Sequence, residues 1–139
     1  MPTERPTRVL IIDDSSSDAA LIAAKLRNAT FGTFEIETIA AFPIAVSRLR
    51  ERHFDLALLD LRMPGVEGLD GLKQLIEDNP EVPIIVLTGV TDDSVGIDSI
   101  RAGAQDYLVK QLYHHHAVIR RILYAIERHK IRLADRADS

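Results

Sequence analysis

The sequence predicts an α/β fold: one doubly wound (βα)5 domain whose five parallel strands lie in the order 2-1-3-4-5. Three observations carry this. Five short β-branched or apolar runs alternate with stretches of helical period. The central run, Phe54 to Asp60, is apolar without helical spacing, as in a strand covered on both faces. Asp13-Asp14, Asp60, Thr88 and Lys110 close four of the runs, and in a parallel sheet such ends share one edge, where ligands bind.

Residues 1–6 read as a flexible lead. Arg8 to Ile12 is a β-branched first strand ending at Asp13-Asp14. Ser15-Ser16-Ser17-Asp18 offers N-cap hydroxyls with an acid three residues after Ser15, and Ile22, Leu26 and Ala29 follow at helical spacing, so the first helix runs to about Asn28. Thr33 to Ile39 alternates as a second strand, and Ile44 to Arg52 forms a second helix with Val46 and Leu49 inward. The third strand, Phe54 to Asp60, stops before Pro64-Gly65. Gly68 to Asn79 is a third helix striped with Leu69, Leu72, Leu75 and Ile76 and stopped by Asn79-Pro80.

Val82 to Thr88 is the fourth strand, its Pro83 tolerated near the start. Thr91-Asp92-Asp93 caps a fourth helix that ends at Gly103, a natural C-terminal glycine. Gly96 inside it costs about 1 kcal/mol relative to alanine, which makes this the least secure helix. Asp106 to Val109 is the fifth strand, and Leu112 to about Ala134 the last helix, with residues 131–139 a charged extension or tail.

At 139 residues, 46% apolar and 27% charged, the chain reads as one globular domain. A formal charge of -4 argues against direct nucleic-acid binding, which calls for a basic face. No apolar run approaches the roughly 20 residues of a membrane span, and Met1 to Pro6 lacks the apolar region of a signal peptide, so the expected location is cytoplasmic. The absence of cysteine removes disulfides, thiolate metal sites and cysteine nucleophiles.

With strands about 4.8 Å apart, Lys110 lies about 10 Å from the strand of Asp60, within reach through one bound oxyanion. Asp13, Asp14 and Asp60 repel one another, each pair by about 1 kcal/mol at about 4 Å in water and severalfold more near a protein surface. A positive charge must therefore sit among them. A hard divalent ion, Mg²⁺, matches an all-carboxylate cluster without His or Cys. The arrangement reads as phosphoryl transfer onto Asp60, with lysine and a hydroxyl on the remaining oxygens.

The pair Asp13-Asp14, the run Asp60-Leu61-Arg62-Met63-Pro64-Gly65 with Gly68 beyond it, Thr88-Gly89 and Tyr107-Leu108-Val109-Lys110 resemble the receiver domain of two-component response regulators, a flavodoxin-like fold. The resemblance covers residues 7–130. It implies that Asp60 accepts phosphate from a histidine kinase or histidine phosphotransfer protein, with Mg²⁺ held by Asp13, Asp14, Asp60 and a backbone carbonyl, that of Arg62. It also implies that Thr88 moves onto the phosphoryl group, that Lys110 pairs with it, and that Tyr107 swings inward, switching the face made by the fourth helix, fifth strand and fifth helix. Two features depart from the family. Gln111 replaces the usual cis proline after the lysine, and a non-proline cis bond costs about 3 kcal/mol. Val90, at a position that tunes phosphoryl lifetime, can neither hold nor activate water and predicts slow dephosphorylation.

Blander readings stand beside these. Asp13-Asp14 before serines is by itself more often a helix cap, and Tyr107 more often core than switch. His114-His115-His116 should be surface residues, since adjacent positions on a helix point apart. Arg120, Arg121, Arg128 and Lys130 read as a solvated helix face. Ile119, Ile122 and Ile126 either pack on the sheet or, with Leu133, form a homodimer seam. Rival functions are a Mg²⁺-dependent phosphohydrolase of the haloacid dehalogenase type, whose general acid two residues after the nucleophile is replaced here by Ser15 or Ser16, and a degenerate receiver that binds partners without phosphorylation. A flavodoxin is disfavoured because the first loop lacks a phosphate-cradling glycine pattern. Too few residues follow position 130 for an output domain, so the chain reads as either a stand-alone receiver or one excised from a larger regulator, and the downstream effector is open.

Overall fold

The computed structural model describes residues 5–30, 32–66, 68–89, 93–110 and 114–138. The elements are β1 (Thr7–Ile12), α1 (Ser16–Arg27), β2 (Phe34–Ile39), α2 (Phe42–Glu51), β3 (Leu56–Asp60), α3 (Leu69–Asp78), β4 (Ile84–Thr88), α4 (Asp93–Arg101), β5 (Asp106–Val109) and α5 (His115–Asp138). The strands form one parallel sheet in the order β2-β1-β3-β4-β5, as predicted. The expected cap at Thr91-Asp92, Val90 and the Lys110-Gln111 peptide lie outside the described residues.

Alternation along the strands divides the core into two layers. Val9, Ile11, Leu56, Leu58, Ile85, Leu87 and Leu108 face α1 and α5, where Ile22, Leu26, Ile119 and Ile122 meet them. The intervening Leu10, Ile12, Ala57, Leu59, Ile84 and Val86 face Phe42, Ala45, Leu72 and Leu75. Every residue of β3 and β4 is buried, which explains why those runs lack a polar face. Ile119, Ile122 and Ile126 are in this core, so the seam reading loses three of its four residues.

Boundaries differ where proline or packing intervenes. Helix α2 begins at Phe42, not Ile44: Pro43 suits a first turn, where no N–H is needed, and buried Phe42 anchors it. Strand β4 starts at Ile84 because Pro83 has no N–H to add to the ladder. Helix α5 continues past Ala134 to Asp138. Gly103 ends α4 at φ +115, with its N–H bonded to the Ile100 carbonyl and the Ala104 N–H to that of Ser99. Arg121 is not merely solvated: Nη1 lies 3.1 Å from both carboxylate oxygens of Asp106, tying α5 to β5.

Asp55 joins β1 to β3 at the opposite end of the sheet. It accepts the Arg8 N–H at 2.8 Å and lies 3.0 Å from Arg5 Nη2 and 3.1 Å from His53 Nε2. Burial alone would raise its pKa, but the Arg8 N–H, His53 and Arg5 outweigh it and hold the carboxyl below the usual range. Its stabilisation is therefore present above the ordinary carboxylate pKa and lost as pH falls through the lower folded value. Asp55→Asn is expected to cost about 1–2 kcal/mol near neutrality, and less in acid. Urea midpoints at both pH values check this; equal midpoints for the two proteins at neutral pH would refute it.

Candidate functional site

The carboxylate edge is assembled by strand parity. Asp60 ends β3 in phase with Leu56 and Leu58, and Asp13 and Lys110 continue the phases of Ile11 and Leu108, so all three lie on the α1 and α5 side. Thr88 and Tyr107 have the other phase and lie towards α4. The sequence-predicted residues thus divide into a charged group on one side of the sheet edge and a hydroxyl with an aromatic ring on the other.

Lys110 is the hub of the charged group. Its Nζ lies 2.7 Å from Asp13 Oδ2, 3.0 Å from Asp60 Oδ2 and 3.0 Å from Asp18 Oδ2. The lysine therefore reaches Asp60 directly, without the bridging oxyanion expected from strand spacing. The other oxygen of Asp60 accepts the Arg62 N–H at 2.9 Å, and Asp13 Oδ1 accepts that of Ser15 at 2.9 Å. Asp13 Oδ2 is buried and makes no aligned hydrogen bond; its approach to Lys110 is a charge contact that leaves its lone pairs available. Asp14 is exposed, and ligand oxygens of Asp13, Asp14 and Asp60 lie within 4.8 Å of one another.

The two buried acids titrate in opposite directions. Burial pushes the Asp13 carboxyl up, more than Lys110 and the Ser15 N–H pull it down, and the neighbouring Asp60 adds to the rise. Burial acts the same way on Asp60, but the Arg62 N–H, Lys110 and Asp13 outweigh it, and its carboxyl is lowered. The surroundings of Asp60 thus favour its carboxylate form, the state a nucleophile requires. Burial disfavours the Lys110 ammonium, yet Asp13, Asp60 and Asp18 together raise its pKa well above the ordinary lysine value.

A cleft of about 380 Å³ opens over this cluster, lined by Asp14, Ser15, Asp18, Asp60, Arg62, Gly89 and Lys110. A larger groove of about 600 Å³ is lined by Phe42, Val46 and Pro64, with Asp70 the only carboxylate among the described residues that line it, whereas the smaller cleft gathers three. Thr88 is buried at the end of β4, and its carbonyl accepts the Lys110 N–H at 2.7 Å. The Tyr107 ring packs against Gly96 of α4: a Cβ added there would stand 2.4 Å from a ring carbon.

Sequence reasoning missed Asp18, which it read only as part of a helix cap. The histidine run also differs from expectation. His114 precedes α5 and only His115 and His116 are in its first turn, so the divergence expected on a regular helix does not hold. Their ring centroids are 4.1, 4.2 and 5.3 Å apart. Loss of hydration, then His114, His116 and Lys25, lower the pKa of His115. Among the described residues no helix is long and apolar enough to cross a membrane.

The sequence profile of the response regulator receiver domain matches residues 9–122. The transcriptional regulatory protein ZraR of Salmonella typhimurium is 33% identical over 104 residues, which is 75% of this chain and 23% of ZraR. The DNA-binding response regulator MtrA of Mycobacterium leprae is 37% identical over 103 residues, 74% of this chain and 44% of MtrA. The chain thus spans less than half the length of these relatives. A CheY-like response regulator receiver domain protein from Methanospirillum hungatei shares the fold with a TM-score of 0.77 at 22% identity, over 92% of this chain and 99% of that one. Profile, relatives and strand order agree: the chain belongs to the response regulator receiver domain family of two-component systems.

Proposed function

We propose that residues 7–130 form a phosphoacceptor receiver that takes a phosphoryl group onto Asp60 from a histidine kinase or histidine phosphotransfer protein, with residues 131–139 a charged extension. The observation that carries this reading is Asp60 itself: a buried acid at the tip of the central strand, its carboxyl held below the usual range, with Lys110 Nζ at 3.0 Å and the Arg62 N–H at 2.9 Å.

The donor set suits a hard cation. Asp13 Oδ2 is a buried oxygen without an aligned hydrogen bond, next to two more carboxylates and with no sulfur or imidazole in the group. Asp13, Asp14, Asp60 and the Arg62 carbonyl would hold Mg²⁺, which when bound neutralises the acids and polarises the phosphoryl oxygens. The chain's own residues do the rest. An Asp60 oxygen forms a bond to phosphorus as the phosphorus–nitrogen bond of a phosphohistidine breaks, and the imidazole leaves with the electron pair. Lys110 donates to one phosphoryl oxygen and the Thr88 hydroxyl to another. The protein is the acceptor in this step, not a catalyst acting on a diffusible substrate.

Inward movement of Thr88 vacates space for Tyr107, and α4, β5 and α5 are reshaped for a downstream partner. Ile97 and Ile100 leave apolar surface on α4, and Tyr124 on α5, which suits such a face. The test is intact mass after incubation with acetyl phosphate and Mg²⁺, beside Asp60→Asn and a chelated control. A metal-dependent gain of one phosphoryl group, absent in the variant, is expected. No gain under any condition replaces this reading with a phosphorylation-independent binding module.

A further inference from the structure

Asp18 occupies the third position of α1, where an acid after an N-cap serine ordinarily completes a reciprocal cap by accepting the N–H of the capping residue. Half of that cap is present: the Asp18 N–H donates to Ser15 Oγ at 3.2 Å. The other half is not made, because the Ser15 N–H is already committed to Asp13 Oδ1 at 2.9 Å. The Asp18 carboxylate is instead hydrogen-bonded to Lys110 Nζ at 3.0 Å, a contact between residues 92 positions apart. It lines the same cleft as Asp60.

An ammonium has three N–H donors. Those of Lys110 face three carboxylates, with hydrogen bonds to Asp18 and Asp60 and a 2.7 Å charge contact to Asp13. Asp13 and Asp60 belong to the group whose oxygens can converge on one cation, and Asp18 does not. A cation at Asp13 and Asp60 therefore loosens two of the three contacts and leaves the third intact. The Asp18 side chain is also only 26% exposed, so its charge is incompletely screened from anything bound at Asp60.

We propose that Asp18 is a latch on Lys110, a positioning residue that holds the ammonium away from an incoming phosphoryl group and repels that group's negative charge. This rests on the reading of Asp60 as phosphoacceptor. Phosphorylation then has to compete with Asp18 for the ammonium, so the resting state is favoured by a contact that the metal does not replace.

The test is titration of the full chain with beryllofluoride at saturating Mg²⁺, followed by NMR, for the wild type, Asp18→Asn and Asp18→Ser. Both variants are expected to bind the analogue about fivefold more tightly than the wild type and to gain phosphate faster from acetyl phosphate. Saturating Mg²⁺ keeps metal affinity out of the comparison. A purely structural role for Asp18 predicts weaker or equal binding with a lower thermal midpoint, so the sign of the change separates the two. Equal or weaker binding in either variant overturns the latch. A wild type that binds no better than Asp60→Asn overturns the phosphoacceptor reading itself.

Discussion

Replacing Lys110 with methionine is expected to lower stability by roughly 3 kcal/mol near pH 7 in metal-free buffer. The side chains of Lys110, Asp13 and Asp60 are 9%, 0% and 7% exposed, so water screens their interactions poorly. Burial alone would lower the lysine pKa, but its three carboxylate partners raise it above the ordinary value. Its stabilisation is therefore fully present below the ordinary lysine pKa and is lost only as pH rises through the higher folded value. Across the neutral range the wild type keeps the whole of it.

Without the ammonium, Asp13 and Asp60 repel across a buried gap, and Asp13, whose carboxyl is already raised, takes up a proton more readily. A carboxyl raised in the folded state gains stability as pH falls through its folded value, the opposite of Asp60 and Asp55. The deficit of Lys110→Met should therefore shrink as pH falls from neutrality to a mildly acid value. Mg²⁺ should raise the variant's urea midpoint more than the wild type's, because in the variant no other cation answers the carboxylates. Urea unfolding at both pH values, with and without Mg²⁺, checks all three expectations. Identical midpoints near neutrality would mean that the ion cluster does not support the fold.

The second large effect lies on the other side of the sheet edge. Gly96→Ala on an exposed helix surface would stabilise by about 1 kcal/mol. Here the new methyl would stand 2.4, 2.5 and 2.7 Å from three carbons of the Tyr107 ring, well inside contact distance. The ring must leave its seat against α4, and overpacking of this kind costs about 1–3 kcal/mol. The expected net result is a loss of about 1 kcal/mol, set by overpacking against the helix-propensity gain. In a Tyr107→Ala background the same substitution should become stabilising, giving a coupling of about 2 kcal/mol between the sites. A thermal double-mutant cycle measures it. A coupling near zero would show that the ring and the helix move independently, and that Gly96 does not set the position of Tyr107.

Both predictions concern contacts between residues on different elements, and this marks the boundary of what the sequence by itself determined. The order of strands and helices, Asp60 at the tip of the most buried strand, and Gly103 as the stop of α4 were legible because each depends on local chemistry. Strand period, helical spacing, a cap or a backbone that needs positive φ is written within a few residues. The same logic placed Ile119, Ile122 and Ile126 in one stripe and left open whether the sheet or a second copy covers it; the fold decides for the sheet.

Tertiary structure decided which side chains meet. Asp18 carries an ordinary cap signature, and only the commitment of the Ser15 N–H to Asp13 turns its carboxylate towards Lys110. Gly96 reads as a weak point in a helix until the Tyr107 ring is found against it. Helix α2 starts before Ile44 because Phe42 has a buried place to go, and Arg121 pairs with Asp106 because β5 brings that carboxylate beneath α5. Long side chains on neighbouring elements choose partners by distances of about 3 Å across the sheet edge, a scale that periodicity along the chain does not encode.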